Sequence, residues 1–353
     1  MSVPPRCAPA FGLEMDKMPY KTNLLLTLVL LTAVATPLSA QDKKDWIKPA
    51  EANKLLHFQI QGEYLAEVED NGEQVRIGAQ VIALSDKTFR SELFIGGLPG
   101  AGWSRGQEQR SNNGKVDGDF QVWTSDDGGE PARTRLVDGN LELIDDAGNV
   151  QAIFKKVHRK SPTLNAKPPK GALVLFNGSA ASAKNFERGQ LVLGNLLRHD
   201  CESKEKFGDH QLHLEFRTPY MPFARGQGRG NSGMYLQGRY EVQVLDSFGL
   251  AGKNNECGGI YSISEPIVNM CLPPLSWQTY DVDFTAARYD AMSGKKSKNA
   301  RATIKHNGVV IHNNLELPKG TPGKHPEANS PGILYLQGHG NPVVYRNVWV
   351  LKK

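Results

Sequence analysis

The chain has 353 residues, of which 39% are hydrophobic and 22% are charged, a composition typical of globular proteins with real cores. Its 42 Lys and Arg residues against 37 Asp and Glu residues give a formal net charge of +5, with both signs interspersed. Because nucleic-acid-binding proteins usually concentrate basic residues in a patch or stripe, the sequence argues against a nucleic-acid partner. The length predicts two domains once the amino-terminal region is set aside.

Residues 1–40 have the pattern of a targeting segment. Lys17 and Lys21 precede an apolar run, Leu24–Ala35, which is followed by the small-residue pattern Leu38-Ser39-Ala40. The run is too short to span a bilayer as a helix, so no membrane span is expected. We expect cleavage after Ala40 and export to the periplasm or the extracellular space. Internal methionines leave the true start of the chain open.

Cleavage at that position would leave three cysteines, Cys201, Cys257 and Cys271. An odd number allows at most one disulfide, and export permits one to form. Cys257 and Cys271 flank a loop that contains two adjacent glycines and are the candidate pair, although the sequence does not show whether their geometry allows a bond. The spacing excludes a Cys-x-x-Cys zinc site.

Residues 41–158 are predicted to form a β-rich amino-terminal domain. Turn signals such as Asn112-Asn113-Gly114 recur at short spacing between apolar segments, which predicts an all-β meander or small barrel. A short helix could cover 50–56. The predicted strands are Leu55–Ile60, Val75–Leu84, Thr88–Phe94, Asp119–Thr124, Leu141–Ile144 and Val150–Val157.

Residues 159–171 contain three prolines and four basic residues without apolar periodicity, which indicates a linker. The second domain, 172–353, shows some ten alternating segments and almost no helical periodicity. This predicts two packed antiparallel sheets, a sandwich of jelly-roll character. The predicted strands are Leu173–Phe176, Gln190–Leu193, His210–Thr218, Ser232–Asp246, Gln278–Ala286, Ala302–His306, Val309–Asn313, Gly332–Gln337 and Val344–Leu351.

The segment Ser232–Asp246 carries the most informative pattern. If it forms one strand, Arg239, Glu241 and Gln243 share one face, because successive side chains point to opposite sides. A cation, a carboxylate and an amide in register suit a carbohydrate-handling surface. The alternative is an ordinary solvated face with an Arg–Glu pair, which the pattern alone favours.

The second domain resembles the 3-keto-disaccharide hydrolase family over 172–353. The resemblance rests on several motifs in order: LFNG (175–178), LEFR (214–217), GNSGMYLQGRYEVQVLDS (230–247), CGGIY (257–261), WQTYDVDF (277–284), HNG (306–308) and GILYLQGHGNPVVYRNVWV (332–350). It implies a concanavalin-like, laminin-G-like jelly-roll sandwich. It also implies an enzyme that cleaves 3-keto-glycosides, by elimination to a 2-hydroxyglucal followed by hydration, or by net hydrolysis. Residues 41–158 look like an extension whose role the resemblance does not define.

Such chemistry needs a base that titrates near neutrality, a stabiliser for an enolate and an acid for the leaving group. Glu241 and His339 are the candidates for proton transfer, and Arg239 is the candidate clamp for an oxyanion or hydroxyl. The candidate substrate-binding residues are Asn231, Tyr235, Gln243, Asp246, Tyr261, Trp277 and Gln337. For the aromatic residues, a place in the core is the more usual role.

No cofactor is required by the sequence. A divalent metal could serve the enolate, with Glu241, Asp246 and His339 as candidate ligands, although they match no recognised spacing. Two other functions stay open, because a fold does not determine a function. One is a non-catalytic carbohydrate-binding module, and the other is an envelope interaction protein in which residues 46–158 dock a partner. The natural glycoside, its anomer and the oligomeric state are left undetermined.

Overall fold

The computed structural model describes residues 45–70 and 72–353. The predicted targeting segment, 1–40, lies outside the described residues. Within the described part of the chain, no helix is both long enough and apolar enough to cross a membrane.

The amino-terminal half forms a closed barrel of eight antiparallel strands, which confirms the predicted small barrel. Around the barrel the strand order is β1-β10-β9-β8-β7-β6-β3-β2, and the short strands β4 and β5 form a parallel pair outside it. The ten strands are β1 (Gly62–Asp70), β2 (Glu73–Ala83), β3 (Thr88–Ile95), β4 (Leu98–Pro99), β5 (Gly102–Trp103), β6 (Gln109–Asp117), β7 (Phe120–Ser125), β8 (Ala132–Val137), β9 (Asn140–Ile144) and β10 (Val150–Val157).

Two short helices, α1 (Pro49–Ala52) and α2 (Leu56–Ile60), precede the barrel. The prediction of a strand over Leu55–Ile60 is therefore wrong. His57 and Ile60, three positions apart, are buried, whereas Leu56 is 47% exposed. This spacing places one helical face against the barrel core, and the short apolar run could not distinguish it from a strand.

The carboxy-terminal half is a β-sandwich, as predicted. One sheet has eight strands in the order β13-β14-β25-β16-β19-β22-β23, with β11 also paired to β25, and the other has the order β12-β15-β24-β17-β18. The apolar side chains between the two sheets form one large core, with Phe216, Val242 and Phe284 among its fully buried members. β20 and β21 form a separate pair.

The elements of this half, which include the helix α3, are β11 (Leu173–Phe176), α3 (Ala180–Ala183), β12 (Phe186–Glu187), β13 (Leu191–Val192), β14 (Leu196–Arg198), β15 (Cys201–Phe207), β16 (His210–Arg217), β17 (Ser232–Leu236), β18 (Tyr240–Val244), β19 (Gln278–Thr285), β20 (Arg288–Tyr289), β21 (Lys296–Lys298), β22 (Ala300–His306), β23 (Val309–Leu317), β24 (Gly332–Leu336) and β25 (Val344–Lys352).

The single strand predicted over Ser232–Asp246 is instead a hairpin of β17 and β18. Gln237 and Gly238 have φ angles of 56° and 67°, and the Arg239 N–H donates to the Leu236 carbonyl at 3.0 Å. Two central residues with positive φ are the requirement of a type I′ turn, which matches the twist of the flanking strands. Arg239 therefore belongs to the turn and does not extend the face of Glu241 along a strand.

The disulfide suggested between Cys257 and Cys271 is not formed. Both thiols are free and buried, as is that of Cys201. The Cys257 Sγ atom lies 3.3 Å from the Tyr280 hydroxyl, and the Cys271 Sγ donates to the Leu245 carbonyl at 3.5 Å. Both side chains are thus accommodated as small buried groups in the sandwich core.

The barrel and the sandwich pack together within one compact unit. Arg229 of the sandwich donates through Nη1 to the Ala83 carbonyl at the end of β2, at 3.1 Å. The Arg159 Nε, in the segment predicted as a linker, donates to Glu63 of β1 at 2.7 Å. This segment is consequently held by an ion pair at Arg159 and by hydrogen bonds such as that between Ser161 and Thr279.

Candidate functional site

The candidate site lies on the face of the five-stranded sheet that points away from the sandwich core. In the β17–β18 register, Tyr235 pairs with Glu241 and Gly233 pairs with Gln243, and Tyr335 of β24 pairs with Tyr235 on the other side. Met234 and Val242, at the intervening positions, are buried in the core. Strand alternation therefore places these polar and aromatic side chains on one surface.

Glu241 is the electrostatic centre of this surface. Its side chain is 4% exposed, and no salt bridge reaches its carboxyl among residues 45–70 and 72–353. Burial disfavours the charged form and raises the pKa of Glu241 to about 7, while the nearby Tyr235 hydroxyl partly offsets the rise. A carboxyl group with this pKa can accept a proton near neutral pH, as a general base must.

Near Glu241, hydrogen bonds link the amide side chains of Gln227, Asn231 and Gln243. Asn231 donates through Nδ2 to the Gln227 carbonyl at 2.8 Å, and Gln243 donates through Nε2 to Gln227 Oε1 at 3.3 Å. These bonds use the amide N–H groups, and the oxygens Asn231 Oδ1 and Gln243 Oε1 are left without a partner in the part of the chain that the structure describes. Both side chains are at most 2% exposed, so their oxygens are buried acceptors that lack donors.

A third unpartnered oxygen belongs to Gln337, which follows β24, the strand on the far side of β17 from Glu241. Gln337 donates through Nε2 to the Tyr235 hydroxyl at 3.0 Å, whereas its Oε1 has no donor among the described residues. Tyr335 packs against Tyr235 with 5.4 Å between ring centroids. The surface that carries Glu241 thus has three unpartnered acceptor oxygens, which suits a ligand that presents several hydroxyl donors.

The segment 318–331 closes one end of the surface. Thr321 accepts a hydrogen bond from the Glu241 N–H through Oγ1 at 2.9 Å, and its own N–H donates to the Arg239 carbonyl at 2.9 Å. The Tyr235 hydroxyl donates to the Pro322 carbonyl at 3.3 Å. Backbone and side-chain bonds therefore fix this segment beside the carboxyl group.

Arg239 does not face Glu241 as a free clamp. Its Nη1 donates to Gln237 Oε1 at 3.0 Å and to the carbonyls of Ala328 and Ser330 at 3.1 and 2.9 Å, and its Nη2 donates to Ser330 Oγ at 3.1 Å. The predicted position on the Glu241 strand face is wrong, because the hairpin turn redirects the side chain. Arg239 instead fastens the segment 318–331 to the turn.

Asp246 and Trp277 are also engaged away from this surface. Asp246 is 3% exposed and accepts from Arg229 Nε at 2.7 Å, in an ion pair near the barrel. The guanidinium groups of Arg217 and Arg346 contact the ring of Trp277, at 4.9 and 4.0 Å from its centroid. These contacts hold both side chains within the fold, and their part in substrate binding stays a prediction.

Tyr261 and His339 lie on loops. The Tyr261 N–H donates to the Glu241 carbonyl at 3.3 Å, which places this half-buried residue directly beside β18. His339 follows the end of β24 and is exposed. The structure thus brings Tyr261 to the site through its backbone and leaves His339 on an exposed loop.

The candidate metal ligands are not brought together. Asp246 is paired with Arg229 and His339 is exposed, and residues 45–70 and 72–353 contain no group of three or more His, Cys, Asp or Glu side chains suited to a metal ion.

Three residues of the site were not found from the sequence. Gln227 lies in the short 3₁₀ turn Gly226–Gly228, Thr321 lies in an irregular segment, and Gly233 carries no side chain. The first two meet the site only through tertiary packing. For Gly233, its alternation with Tyr235 is a signal that could have been read.

An all-β sandwich with a buried, acceptor-lined carboxyl group on one sheet defines a domain suited to polyhydroxylated ligands. Residues 171–351 match the model of the 3-keto-alpha-glucoside-1,2-lyase-like domain family, and the chain belongs to this family. Its function is accordingly carbohydrate-active.

Solved structures with similarity to the chain include candidate glycosyl hydrolases from Parabacteroides distasonis ATCC 8503. One is 31% identical, with a TM-score of 0.47, over 52% of this chain and 85% of that chain. Another is 18% identical, with a TM-score of 0.34, over 54% of this chain and 92% of that chain. A search of curated proteins gives no match.

Proposed function

We propose that this protein is an exported enzyme that cleaves 3-keto-glycosides, with Glu241 as the base that removes the proton at C2 of the sugar. The observation that carries the proposal is the buried Glu241 carboxyl, whose pKa is raised to about 7 by burial. A purely structural glutamate at this depth is normally paired with a cation, because an unpaired buried charge is costly. Here the cost of burying the charge raises the pKa of Glu241 into the range that suits proton transfer near neutral pH.

The reaction follows from the chemistry of the ketone. A carbonyl at C3 acidifies the C2 proton, which Glu241 accepts, and the electrons of the C2–H bond form an enolate. The enolate then expels the glycosidic oxygen at C1, which takes up a proton as the aglycone leaves. The product is a 2-hydroxyglucal that keeps the C3 ketone. Addition of water across its double bond completes a net hydrolysis.

The unpartnered amide oxygens supply a way to hold the sugar. Asn231, Gln243 and Gln337 each present a buried acceptor that a sugar hydroxyl can satisfy. Because an unpaired buried acceptor costs about 1–3 kcal/mol, a ligand that donates to all three gains affinity and orientation together. Tyr261 and Tyr335 border the same surface and supply apolar ring faces.

The remaining candidates have different parts in the proposal. Arg239 is a positioning residue, since its donors hold the segment that carries Thr321. His339, on its exposed loop, is the proposed acid for the leaving group, because its flanking glycines allow a ligand to approach closely. No step is assigned to a metal, because Glu241, Asp246 and His339 do not form a ligand set.

The test is to incubate purified protein with a 3-keto-glucoside and to follow release of the aglycone, beside an active family member as positive control. We expect release by the wild type and a loss of at least about 100-fold in Glu241→Gln, which keeps the shape but not the base. Glu187→Gln, at an exposed position, is the matched control. A parallel arm with a chelator reports separately on metal dependence.

Three outcomes would overturn parts of the proposal. Saturable binding of the keto-sugar without turnover would assign the domain to the non-catalytic carbohydrate-binding class. Full activity of Glu241→Gln would remove Glu241 from the role of base, and full activity of His339→Ala would remove His339 from the role of acid.

A further inference from the structure

The barrel has a lumen that the sandwich chemistry does not use. Its eight strands follow one another around the barrel in chain order, apart from the excursion through β4 and β5, and β10 closes on β1. Eight strands leave an interior just wide enough to be filled by side chains or to hold one small ligand. The barrel also lies outside residues 171–351, the part that matches the family.

Part of this lumen is not filled by side chains. A cavity of about 150 Å³ is bounded by residues of β2, β3 and β6 through β10. Directly paired residues on neighbouring strands form its wall: Ala79 with Leu93, Thr134 with Leu143, and Leu141 with Phe154. Seven strands contribute residues, so the cavity lies within the barrel.

Trp123 lines the cavity and also belongs to the packed core of the barrel. A side chain on Gly114, which pairs with Trp123 across β6 and β7, would come within 2.3 Å of the indole ring. The indole Nε1 donates to Thr134 Oγ1 at 2.9 Å, which fixes the ring. Gly114 therefore leaves the space that the Trp123 ring occupies, and the hydrogen bond to Thr134 fixes the orientation of the ring.

The few polar groups at the cavity wall already have partners. Asn112 donates through Nδ2 to Ser91 Oγ at 3.2 Å, and Thr134 Oγ1, which accepts from Trp123, donates to Gln121 Oε1 at 3.2 Å. The rest of the wall is mainly aliphatic and aromatic, with Val81, Leu93 and Phe154 among its members. No side chain that lines this cavity carries a charge, so a charged or strongly polar occupant would lose its hydration without compensation.

We propose that the lumen of the barrel binds one small, uncharged apolar molecule, of the size of a single aromatic ring or the end of a short alkyl chain. An apolar cavity of about 150 Å³ can accept one benzene molecule, which sets the size class. Leu93, Leu143 and Phe154 are only half-buried, and Ala132 at the wall is exposed, so the cavity communicates with solvent at that end.

The test uses toluene as the probe and the whole protein, with binding followed by ligand-observed NMR. Ala132→Phe should fill the cavity and weaken toluene binding by at least about tenfold, a change of 1.4 kcal/mol. The matched control is Thr124→Phe, which adds a ring at an exposed position of β7 and should leave toluene affinity unchanged. Leu143→Ala should enlarge the cavity and allow naphthalene to bind.

The outcomes separate cleanly. Saturable toluene binding that is lost in Ala132→Phe and retained in Thr124→Phe supports the proposal. Absence of saturable binding by the wild type overturns it, as does equal binding in Ala132→Phe when circular dichroism shows an intact fold. If Ala132→Phe does not fold, the gain or absence of naphthalene binding in Leu143→Ala decides. None of these readouts depends on the activity of the sandwich site.

Discussion

The missing side chain of Gly233 makes room for the carboxyl group of Glu241. A Cβ atom at position 233 would lie 2.5 Å from Glu241 Oε1 and 3.1 Å from Gln337 Oε1, well inside van der Waals contact. The backbone of Gly233 does not have a positive φ, so the requirement for glycine here is one of space alone. The glycine and the carboxylate occupy the same surface of the hairpin.

Gly233→Ala should therefore displace the proposed base without unfolding the protein. We expect aglycone release to fall by about 100-fold, since a shift of about 1 Å in a catalytic group can cost this much. Gly208→Ala is the matched control, because a Cβ at position 208 meets nothing within 4 Å. Normal turnover by Gly233→Ala, with its thermal unfolding unchanged, would show that the carboxylate position does not matter.

The pH dependence of turnover should follow the titration of Glu241. Its raised pKa, about 7, means that the group is protonated and unable to act as a base at lower pH. We expect kcat/KM to rise with pH through about 7, as Glu241 loses its proton and becomes able to act as a base. Initial rates between pH 5 and 9 measure this. A profile without an inflection near neutrality would contradict the assignment.

Glu241 should also reduce stability as the pH rises. Its pKa is raised in the folded protein, so from about pH 4.5 to about pH 7 the folded state holds a proton that the unfolded state has lost. The free energy of unfolding therefore decreases across that interval, by about 3 kcal/mol for a pKa shift of this size. Glu241→Gln should match the wild type at pH 4.5 and exceed its unfolding free energy at pH 8.

Urea unfolding at the two pH values measures this difference, and subtraction of the two proteins at each pH cancels the titration of other groups. Glu187→Gln, on the surface, should show no such trend. An equal difference between wild type and Glu241→Gln at both pH values would mean that the carboxyl is not titrating near neutrality.

The sequence was sufficient for the sandwich and the small barrel because both rest on alternating apolar residues and frequent turn signals. It failed at the hairpin that contains Glu241. Tyr240, Val242 and Val244 continue the alternation of the preceding strand, so nothing in the apolar pattern marks the break. The turn depends on positive φ at Gln237 and Gly238, and glutamine is not a usual signal for that conformation.

Other parts of the fold needed tertiary information. Strands β1 (Gly62–Asp70) and β6 (Gln109–Asp117) were not predicted, because both carry many polar residues and complete the barrel through their pairing with β2 and β3. Glu241, Gln243, Tyr235 and Gln337 were predicted as site residues from the sequence. All four have odd numbers, as expected for side chains that alternate onto one face of their strands. Residues brought in by loops, such as Thr321, had no local signal.

Arg239→Ala should destabilise the segment 318–331 more than it affects the chemical step. The substitution removes charge-assisted hydrogen bonds to the carbonyls of Ala328 and Ser330, worth about 2 kcal/mol together with the lost packing. Limited proteolysis should cut this segment faster than in Arg198→Ala, an exposed control. If Arg239 stabilises an oxyanion directly, Arg239→Lys would instead lower kcat while the segment stays protected.

His213, like Glu241, should make the protein less stable as the pH rises. It is fully buried on the eight-stranded sheet, with Nδ1 2.6 Å from Asp281 Oδ1 and Nε2 3.6 Å from Glu215 Oε1. Burial alone would lower the pKa of His213, but the two carboxylates outweigh it and raise the pKa above 6.5. The charged imidazole therefore contributes stability that is fully present below pH 6.5 and is lost as the pH rises through the folded-state pKa.

His213→Gln should remove this contribution, so its unfolding free energy should fall less than that of the wild type between pH 6 and pH 9 in guanidinium titrations. His158→Gln, at an exposed position, should keep the wild-type slope, and a wild-type slope in His213→Gln would mean that the imidazole is neutral throughout.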